Sequence, residues 1–368
     1  MQTEGSPGAP LEERPLVSII LATFNEAGTI ESCLGSILRQ QTFSPFTGRF
    51  EIEVLAVDGM SNDGTRAILE RYAAGDPRLR IVNNPRRRAP FAFNLGLRRA
   101  HGRYVCLFGA HTVYRDDYVA VCLSELIAHN AAACGGRVKT VPSGRSLGAR
   151  LAAWVMSHPF GSSRRSFRTQ AEGPAETLHY AVFRRDLALA AGGCDEDLVR
   201  NQENGLNQKL RAAGAILWCT WKTQCFYSPR NTAAGLLRYA YGNGYWSMLS
   251  LAKNPAAVGA HSFVPLLFVI GLALAGFIGM AGALAPVSDA WMALAPFALL
   301  LALHLSLGTA AGAQVALREK CSAALLLPFA FLGFHIAYGF GTLCGLVEQP
   351  WSGWAPKQRP RRGSVPLG

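Results

Sequence analysis

The feature that most constrains this chain is a long segment that is almost free of charge, from residue 261 to about residue 347. The charged residues inside it are Asp289, Arg318, Glu319 and Lys320. About 20 consecutive apolar residues are enough for one helix to cross the hydrocarbon core of a membrane. The residues before position 261 have the composition of an ordinary globular domain. The sequence therefore predicts a soluble domain followed by two or three transmembrane helices.

The candidate spans are residues 263–284, residues 290–316 and residues 323–347, the last of which is interrupted by Pro328 and several glycines. With the soluble domain inside the cell, the first span exits and the second returns. The charged cluster 318–320 then lies in the cytoplasm, as the positive-inside rule expects. A third span would place the basic tail 348–368 outside, against that rule. The third segment is therefore either a span or a re-entrant or interfacial segment.

The amino-terminal residues 1–14 are polar and proline-rich, so we expect a disordered tail and no signal peptide. Nine cysteines occur without CxxC pairs or metal-ligand spacing, which favours free thiols in a reducing compartment. These features predict a multi-pass protein of the cytoplasmic (inner) membrane with its soluble domain in the cytoplasm. The formal net charge of +12 fits attraction to anionic lipid or to a phosphate-bearing substrate. No nucleic-acid motif accompanies it, so nucleic acid is not an expected partner.

Buried strands alternate with amphipathic helices over the first part of the soluble domain. The β-rich runs 17–21, 51–57, 79–84 and 104–108 are each followed by a polar turn, and helical patterns separate them. This alternation predicts an α/β domain around a mainly parallel sheet. In such sheets ligands bind beyond the carboxyl ends of the strands. The polar clusters 23–26, 58–63 and 111–112 occupy those ends, so we expect a ligand site there.

Four segments resemble the family 2 glycosyltransferases, whose fold is GT-A, a nucleotide-diphospho-sugar transferase domain. They are VSIILATFNEAGTIESCLGSI, VLAVDGMSNDGT, NLGLRRAHGRYVCLF and RNQENGLNQKLRAAG. Their order and spacing cover roughly residues 15–230. The carboxyl-terminal apolar region and the sequence SHPFG (157–161) look most like bacterial exopolysaccharide enzymes related to succinoglycan biosynthesis. The resemblance implies a GT-A domain at 15–235, an interfacial helix or linker at 236–260 and transmembrane helices at 261–347.

The resemblance implies nucleotide-sugar binding by residues after the first two strands and by one residue of the third helix. These residues are Thr23, Asn25, Glu26, Asp58, Ser61, Asp63 and Asn94. In the family, the acid at the position of Asp58 contacts the nucleotide base. From the residues alone, Asp58 and Asp63 can equally be turn and cap residues, and Asn25-Glu26 can be a helix-start signal.

Glu203 occupies the position of the family's catalytic base, in the stretch RNQENGLNQKLRAAG (200–214). A base there would take the proton of the acceptor hydroxyl. From composition alone, a solvated acid ahead of a basic helix is the alternative, and a register shift of one residue would select Asn204, whose amide is no base. Gln202, Arg164 and Arg200 are expected to contact the acceptor or to orient the residues that do so. The loop with Arg164 also carries Arg165 and Arg168, which the fold would place near the acceptor.

Gly109 stands where the family carries an acid that binds a divalent metal. A glycine offers no ligand, so His111 is the metal-ligand candidate, with diphosphate oxygens and water completing the shell. A structural role for His111 is the alternative. The resemblance therefore implies Mg²⁺ or Mn²⁺ as cofactor, whereas the glycine at position 109 argues against metal binding there.

The sequence as a whole predicts an inverting, hexosyltransferase-type enzyme that moves one sugar from a nucleotide-diphosphate sugar, expected to be a UDP-sugar. The acceptor would be a hydroxyl of a lipid-linked or polysaccharide glycan in cell-surface polysaccharide biosynthesis. The QxxRW motif of processive synthases is absent, which argues for single addition. Membrane lipids and polysaccharide assembly proteins are further expected partners. Two alternatives stay open: an enzyme that glycosylates polyprenyl phosphate itself, and a non-enzymatic subunit of a polysaccharide assembly complex.

Overall fold

A mixed, mostly parallel sheet forms the centre of the soluble domain. The computed structural model describes residues 16–164, 166–198, 202–229, 232–253, 258–284 and 290–348. The strands are β1 (Leu16–Thr23), β2 (Phe43–Ser44), β3 (Gly48–Arg49), β4 (Glu51–Asp58), β5 (Leu79–Asn83), β6 (Tyr104–Gly109), β7 (Thr112–Tyr114), β8 (Ala133–Thr140), β9 (Gly173–Pro174), β10 (Val182–Arg184) and β11 (Leu217–Tyr227). The helices are α1 (Ile30–Leu38), α2 (Thr65–Gly75), α3 (Ala89–Arg99), α4 (Tyr118–Ala128), α5 (Leu147–Ser157), α6 (Arg185–Ala190), α7 (Gln202–Ala212), α8 (Ala233–Lys253), α9 (Val264–Ala283), α10 (Ala295–Glu319) and α11 (Leu327–Val347). The predicted disordered tail 1–14 and most of the basic tail 348–368 lie outside the described residues.

The predicted parallel strands are present, and their carboxyl ends meet in register. The strand order is β5-β4-β1-β6-β10-β8-β11-β7, with β9 pairing off this path with β11. Strand β1 pairs parallel with β4 and β6, so that Thr23 lies opposite Asp58 and Ala22 lies opposite Gly109. Strand β5 continues this edge, with Asn83 opposite Asp58. The polar residues that follow these strands are therefore collected at one edge of the sheet.

The other half of the sheet brings in strands that the sequence pattern did not predict. Strand β10 lies antiparallel between β6 and β8, and β11 pairs parallel with β8. The residues after Gly109, predicted as an exit loop, form β7, which pairs antiparallel with β11. In that pairing Thr112 lies opposite Tyr227, so the end of β11 reaches the strand-tip edge next to His111.

Helices cover both faces of the sheet. On one face, α1 buries Ile30, Cys33, Leu34 and Ile37 against the sheet, together with α2 and α4. Helix α1 begins at Ile30 rather than near Glu26, because residues 26–29 form a turn first. On the other face, α3, α6 and α7 form a second apolar cluster. All nine cysteines are free thiols, as predicted.

In the described part of the chain, three helical segments are long and apolar enough to cross a membrane: residues 260–282, 292–319 and 322–347. The third is not broken as the sequence suggested, because Pro328 lies in the first turn of α11, where its missing N–H costs nothing. Helix α8 packs closely along α11: a side chain on Gly341 would collide with the carbonyl of Tyr241. The glycines of these helices therefore serve close helix packing.

A third apolar cluster joins the soluble domain to the apolar helices. Helix α5 contributes Trp154 and Val155, and α11 contributes Leu327 and Phe331. The same cluster includes residues of α8 and α10. Helix α5 follows β8 in the chain. This shared core therefore holds the carboxyl end of β8 close to the apolar helices.

Candidate active site

The loop after β1 and the turn after β4 are held together by hydrogen bonds. The Asn25 backbone N–H donates to Oγ of Ser61 at 3.0 Å, and the Asn62 N–H donates to Oδ1 of Asn25 at 3.0 Å. Asn25 has a left-handed backbone (φ 55°), which asparagine tolerates better than most residues. Further along, the Ala27 N–H donates to Oδ2 of Asp63 at 3.1 Å. These residues, predicted to bind nucleotide, thus form one polar cluster with Thr23, which lies buried at the end of β1.

The acids of the turn are themselves hydrogen-bonded. Asp58 is 1% exposed, and its Oδ1 accepts from Oγ of Ser61 at 2.6 Å. Oδ1 of Asp63 accepts from Oγ1 of Thr65 at 2.6 Å, and this bond lowers the pKa of the Asp63 carboxyl. Both acids therefore shape the turn, as the structural alternative predicted. Their nucleotide-binding role stays a prediction.

The side chains of Glu26 and His111 lie in contact, and His111 is two residues after Gly109, where a metal-binding acid was expected from the family resemblance. Oε1 of Glu26 lies 3.3 Å from Nδ1 of His111, and Oε2 accepts from Oγ1 of Thr29. Among the described residues no group of three or more His, Cys, Asp or Glu side chains could hold a metal ion. Mg²⁺ and similar ions are, however, often bound by one or two protein ligands plus substrate phosphates and water. The pair fits such a shared site, whereas Gly109 supplies no ligand.

Glu203 lies in the first turn of α7 and is paired with a histidine that the sequence did not single out. Its carboxylate is 8% exposed, so it is not the solvated acid of the alternative interpretation. Nδ1 of His179 lies 2.7 Å from Oε2 of Glu203. Oε1 has no hydrogen-bond partner within the described part of the chain, and Glu203 lines a large cavity. One carboxylate oxygen is thus fixed by His179, and the other has no partner among the described residues.

The surroundings of His179 fix its ring. The Phe167 ring stacks on it at 3.8 Å between centroids and 25° between planes. Nε2 of His179 faces Oδ1 of Asn204 at 3.3 Å, and that oxygen also accepts from Oγ1 of Thr177 at 2.5 Å. Asn204, which a one-residue register shift would put in place of Glu203, therefore contacts the side chains of Thr177 and His179.

A single cavity of about 1350 Å³ joins these groups to the apolar helices. His111, Phe167, His179 and Glu203 line one part of it, together with Tyr180 and Tyr227. Phe268, His304 and Phe334 of the three apolar helices line another part. The polar cluster around Asp58 lies outside the cavity wall and meets it through His111. The cavity therefore runs from the strand-tip edge, past Glu203, to the candidate membrane spans.

Four predicted site residues remain: Asn94, Arg164, Gln202 and Arg200. Asn94 is buried on α3, where its side chain bonds the backbone of Cys194 through both its oxygen and its nitrogen. It anchors the segment that leads to α7. Arg164 lines the cavity and is exposed. Gln202 begins α7, but its side chain is not described, and Arg200 lies outside the described residues.

The sequence analysis missed His179, Phe167 and Tyr227. His179 lies just before β10 and Tyr227 ends β11, so both depend on long-range strand pairing. Phe167 lies in the loop after α5. The one available signal was the aromatic and basic content of the loop after SHPFG, which includes Phe167.

The chain is similar in sequence to known glycosyltransferases. Residues 18–190 match the sequence model of Glycosyl transferase family 2. The chain is 29% identical over 326 residues to the succinoglycan biosynthesis protein ExoA of Rhizobium meliloti, covering 88% of this chain and 92% of that protein. It is 24% identical over 247 residues to a Methanococcus voltae dolichyl N-acetyl-alpha-D-glucosaminyl phosphate 3-beta-D-2,3-diacetamido-2,3-dideoxy-beta-D-glucuronosyltransferase, covering 65% and 74% of the two chains.

A solved structure of similar fold is the mannosyltransferase PcManGT from Pyrobaculum calidifontis in complex with GDP-Man and Mn²⁺. It superposes with a TM-score of 0.54 at 22% identity, covering 95% of this chain and 92% of that one. The fold is therefore GT-A, as expected. With the relatives, it indicates a glycosyltransferase rather than a non-enzymatic assembly subunit.

Proposed function

We propose that this protein, which carries a family 2 glycosyltransferase domain, moves one sugar from a nucleotide-diphosphate sugar to a hydroxyl of a lipid-linked glycan. The observation that carries the proposal is the position of Glu203, whose carboxylate opens into a cavity that continues to the candidate membrane spans. The relatives named for succinoglycan biosynthesis and for a dolichyl-phosphate-linked acceptor support a role in polysaccharide biosynthesis. A UDP-sugar is the donor that we would test first.

Glu203 is the proposed base. The acceptor hydroxyl hydrogen-bonds to Oε1 and gives up its proton as its oxygen attacks the sugar carbon. Nδ1 of His179 holds the other carboxylate oxygen, so the carboxylate does not rotate away from the substrate. A single base facing the side opposite the leaving group inverts the sugar carbon. Two flanking carboxyl groups, as in glycoside hydrolases, are not required.

The donor's nucleotide would bind at the polar cluster of Thr23, Asn25, Asp58 and Ser61, with its diphosphate directed towards Glu26 and His111. These two residues would hold Mg²⁺ or Mn²⁺, and the ion would neutralise the charge of the departing diphosphate. The Mn²⁺ in the mannosyltransferase of similar fold supports a divalent ion.

The membrane arrangement follows from the same cavity. Three candidate spans and a basic chain fit a multi-pass protein whose soluble domain lies at the cytoplasmic face, where nucleotide sugars are available. We infer that α9, α10 and α11 anchor the domain so that the cavity opens at the bilayer surface. A lipid-linked acceptor would then enter from the membrane.

The test is a panel of labelled nucleotide sugars, assayed with membranes that contain the protein, with and without a chelator. We expect one donor to label a lipid-extractable product and the chelator to reduce the rate. Membranes with an unrelated protein of the same topology are the control. The absence of any labelled product from every donor would contradict the proposal.

A further inference from the structure

Arg168 lines the cavity, and its guanidinium has no carboxylate partner among the residues that the structure describes. Its Nη2 donates to Oη of Tyr239 at 3.3 Å, and its guanidinium carbon lies 4.2 Å from the Phe167 ring centroid and 5.1 Å from that of Tyr227. Its Nε is buried and has no hydrogen-bond partner within the described ranges. No carboxylate among the described residues forms an ion pair with it. Two aromatic faces and one phenol are its principal neighbours.

Such a group is expensive to bury without an anion. A guanidinium offers five N–H donors, and buried charges are normally paired or hydrogen-bonded. The aromatic faces give a partial compensation through cation–π attraction. These contacts hold the planar guanidinium in place, while most of its N–H groups have no hydrogen-bond partner in the described part of the chain. An arginine fork of this kind matches the oxygen geometry of a phosphate.

The position of Arg168 relates it to the acceptor side of the cavity. The Phe167 ring that lies against the guanidinium also stacks on His179, which holds Glu203. Tyr239, its hydrogen-bond partner, belongs to α8, which packs on α11. The apolar part of the same cavity is lined by Val264, Pro265, Phe268 and Phe334. The guanidinium is therefore connected through Phe167 and His179 to the proposed base, and through Tyr239 to a helix that packs on the third candidate span.

We propose that Arg168 binds a phosphate group of the lipid that carries the acceptor glycan. The phosphate oxygens accept from the free N–H groups of the guanidinium, and the hydrocarbon chain lies along the apolar wall. Anchoring the lipid phosphate there positions the glycan hydroxyl near Glu203. Arg238, exposed on α8 and lining the same cavity, adds positive charge along the path from the membrane. The inference rests on the proposed function, because it assigns the phosphate to the lipid acceptor.

The test measures binding to the full-length protein in phosphatidylcholine nanodiscs. Farnesyl diphosphate is the charged lipid probe, farnesol is its uncharged counterpart, and UDP represents the donor. In R168Q we expect the affinity for farnesyl diphosphate to fall roughly 10- to 100-fold, as for the loss of charge-assisted hydrogen bonds. Affinities for farnesol and UDP should be unchanged. R145Q, an exposed arginine outside the cavity, should match the wild type in all three arms.

Two further variants guard against misfolding of R168Q. R168K keeps the charge but loses the planar fork, and we expect it to bind farnesyl diphosphate with intermediate affinity. Y239F removes the hydroxyl that accepts from Nη2 of Arg168. It should weaken the binding of farnesyl diphosphate without affecting the binding of UDP. Weaker UDP binding with unchanged farnesyl diphosphate binding would assign Arg168 to the donor and overturn the proposal, and so would unchanged binding of both probes. The donor panel described above fails only if the proposed function itself is wrong, so the two failures are distinguishable.

Discussion

Nδ1 of His179 lies 2.7 Å from Oε2 of Glu203, which makes the proposed base half of a buried pair. The histidine comes from the segment before β10 and the acid from the first turn of α7. The pair exists because β10 inserts antiparallel between β6 and β8 and returns the chain to the cavity. The site is therefore assembled by sheet topology rather than by one contiguous motif.

Replacing His179 tests whether this pair orients the base. We expect H179A to lower kcat by about 10- to 100-fold, because the carboxylate loses the group that fixes its direction. The KM for the donor should stay unchanged, since His179 has no described contact with the polar cluster that we propose binds the nucleotide. H179N places an amide N–H near the position of Nδ1 and should retain more activity than H179A. Equal losses in both variants would mean that the imidazole ring matters only for packing.

Replacing Gly109 tests the metal site. A Cβ at this position would lie 3.4 Å from Cε1 of Tyr180, an ordinary contact, so G109D should fold. The added carboxylate next to Glu26 and His111 should tighten Mn²⁺ binding about tenfold, measured by titration in the presence of UDP. G144D, in open space on an exposed loop, is the control. An unchanged Mn²⁺ affinity in G109D would place the ion elsewhere.

Replacing Asp58 tests the nucleotide cluster. D58A removes the acceptor that holds Ser61 and should lower the affinity for UDP about tenfold, measured by calorimetry. E51Q, at the opposite end of the same strand and exposed, should bind UDP like the wild type. If D58A binds UDP normally but melts at a lower temperature, Asp58 is only a turn residue.

A stability prediction comes from Glu53, a buried acid on β4. Burial by itself raises the pKa of its carboxyl, but hydrogen bonds from Ser18 and His101 outweigh it, so the pKa lies below the ordinary value of 4.5. The ionised group therefore stabilises the fold above about pH 4.5, and this contribution is lost as the pH falls through the lowered pKa. We expect E53Q to cost roughly 1–3 kcal/mol of unfolding free energy at neutral pH.

Thermal unfolding in detergent, recorded at several pH values, checks this prediction. The difference in melting temperature between E53Q and the wild type should shrink as the pH falls below about 4.5. E51Q, exposed on the same strand, provides the baseline. A difference that is constant across the whole pH range would show that the charge of Glu53 contributes nothing.

The sequence predicted the parts of the fold that local patterns encode. Continuous β-rich runs identified β1, β4, β5 and β6, because strands covered on both faces are apolar throughout. Strand β8 contains two glycines and two basic residues, and the middle of β11 contains Thr220, Lys222, Thr223 and Gln224, so neither reads as a continuous apolar run. Their places depend on long-range pairing. Pro328 was misread because a proline starts a helix as readily as it breaks one.

The candidate site was predicted to a similar extent. The strand-tip residues were found because turn-forming polar residues end each parallel strand. Glu203 was found by its resemblance to a known motif, and no local property distinguishes it from a surface acid. His179 was not singled out, and Arg168 was expected only to lie near the acceptor. Their partners, Glu203 and Tyr239 respectively, are more than 20 residues away in the chain. Side-chain partners across such separations require coordinates.

The most direct test of the whole account is the rate of sugar transfer by E203Q, measured together with its affinity for the donor. We expect the rate to fall by about two to four orders of magnitude, as for loss of a general base, while UDP affinity is unchanged. E31Q, exposed on α1, is the matched control. Transfer by E203Q at close to the wild-type rate would contradict the account and would favour polyprenyl phosphate as the acceptor, because a phosphate oxygen needs no base.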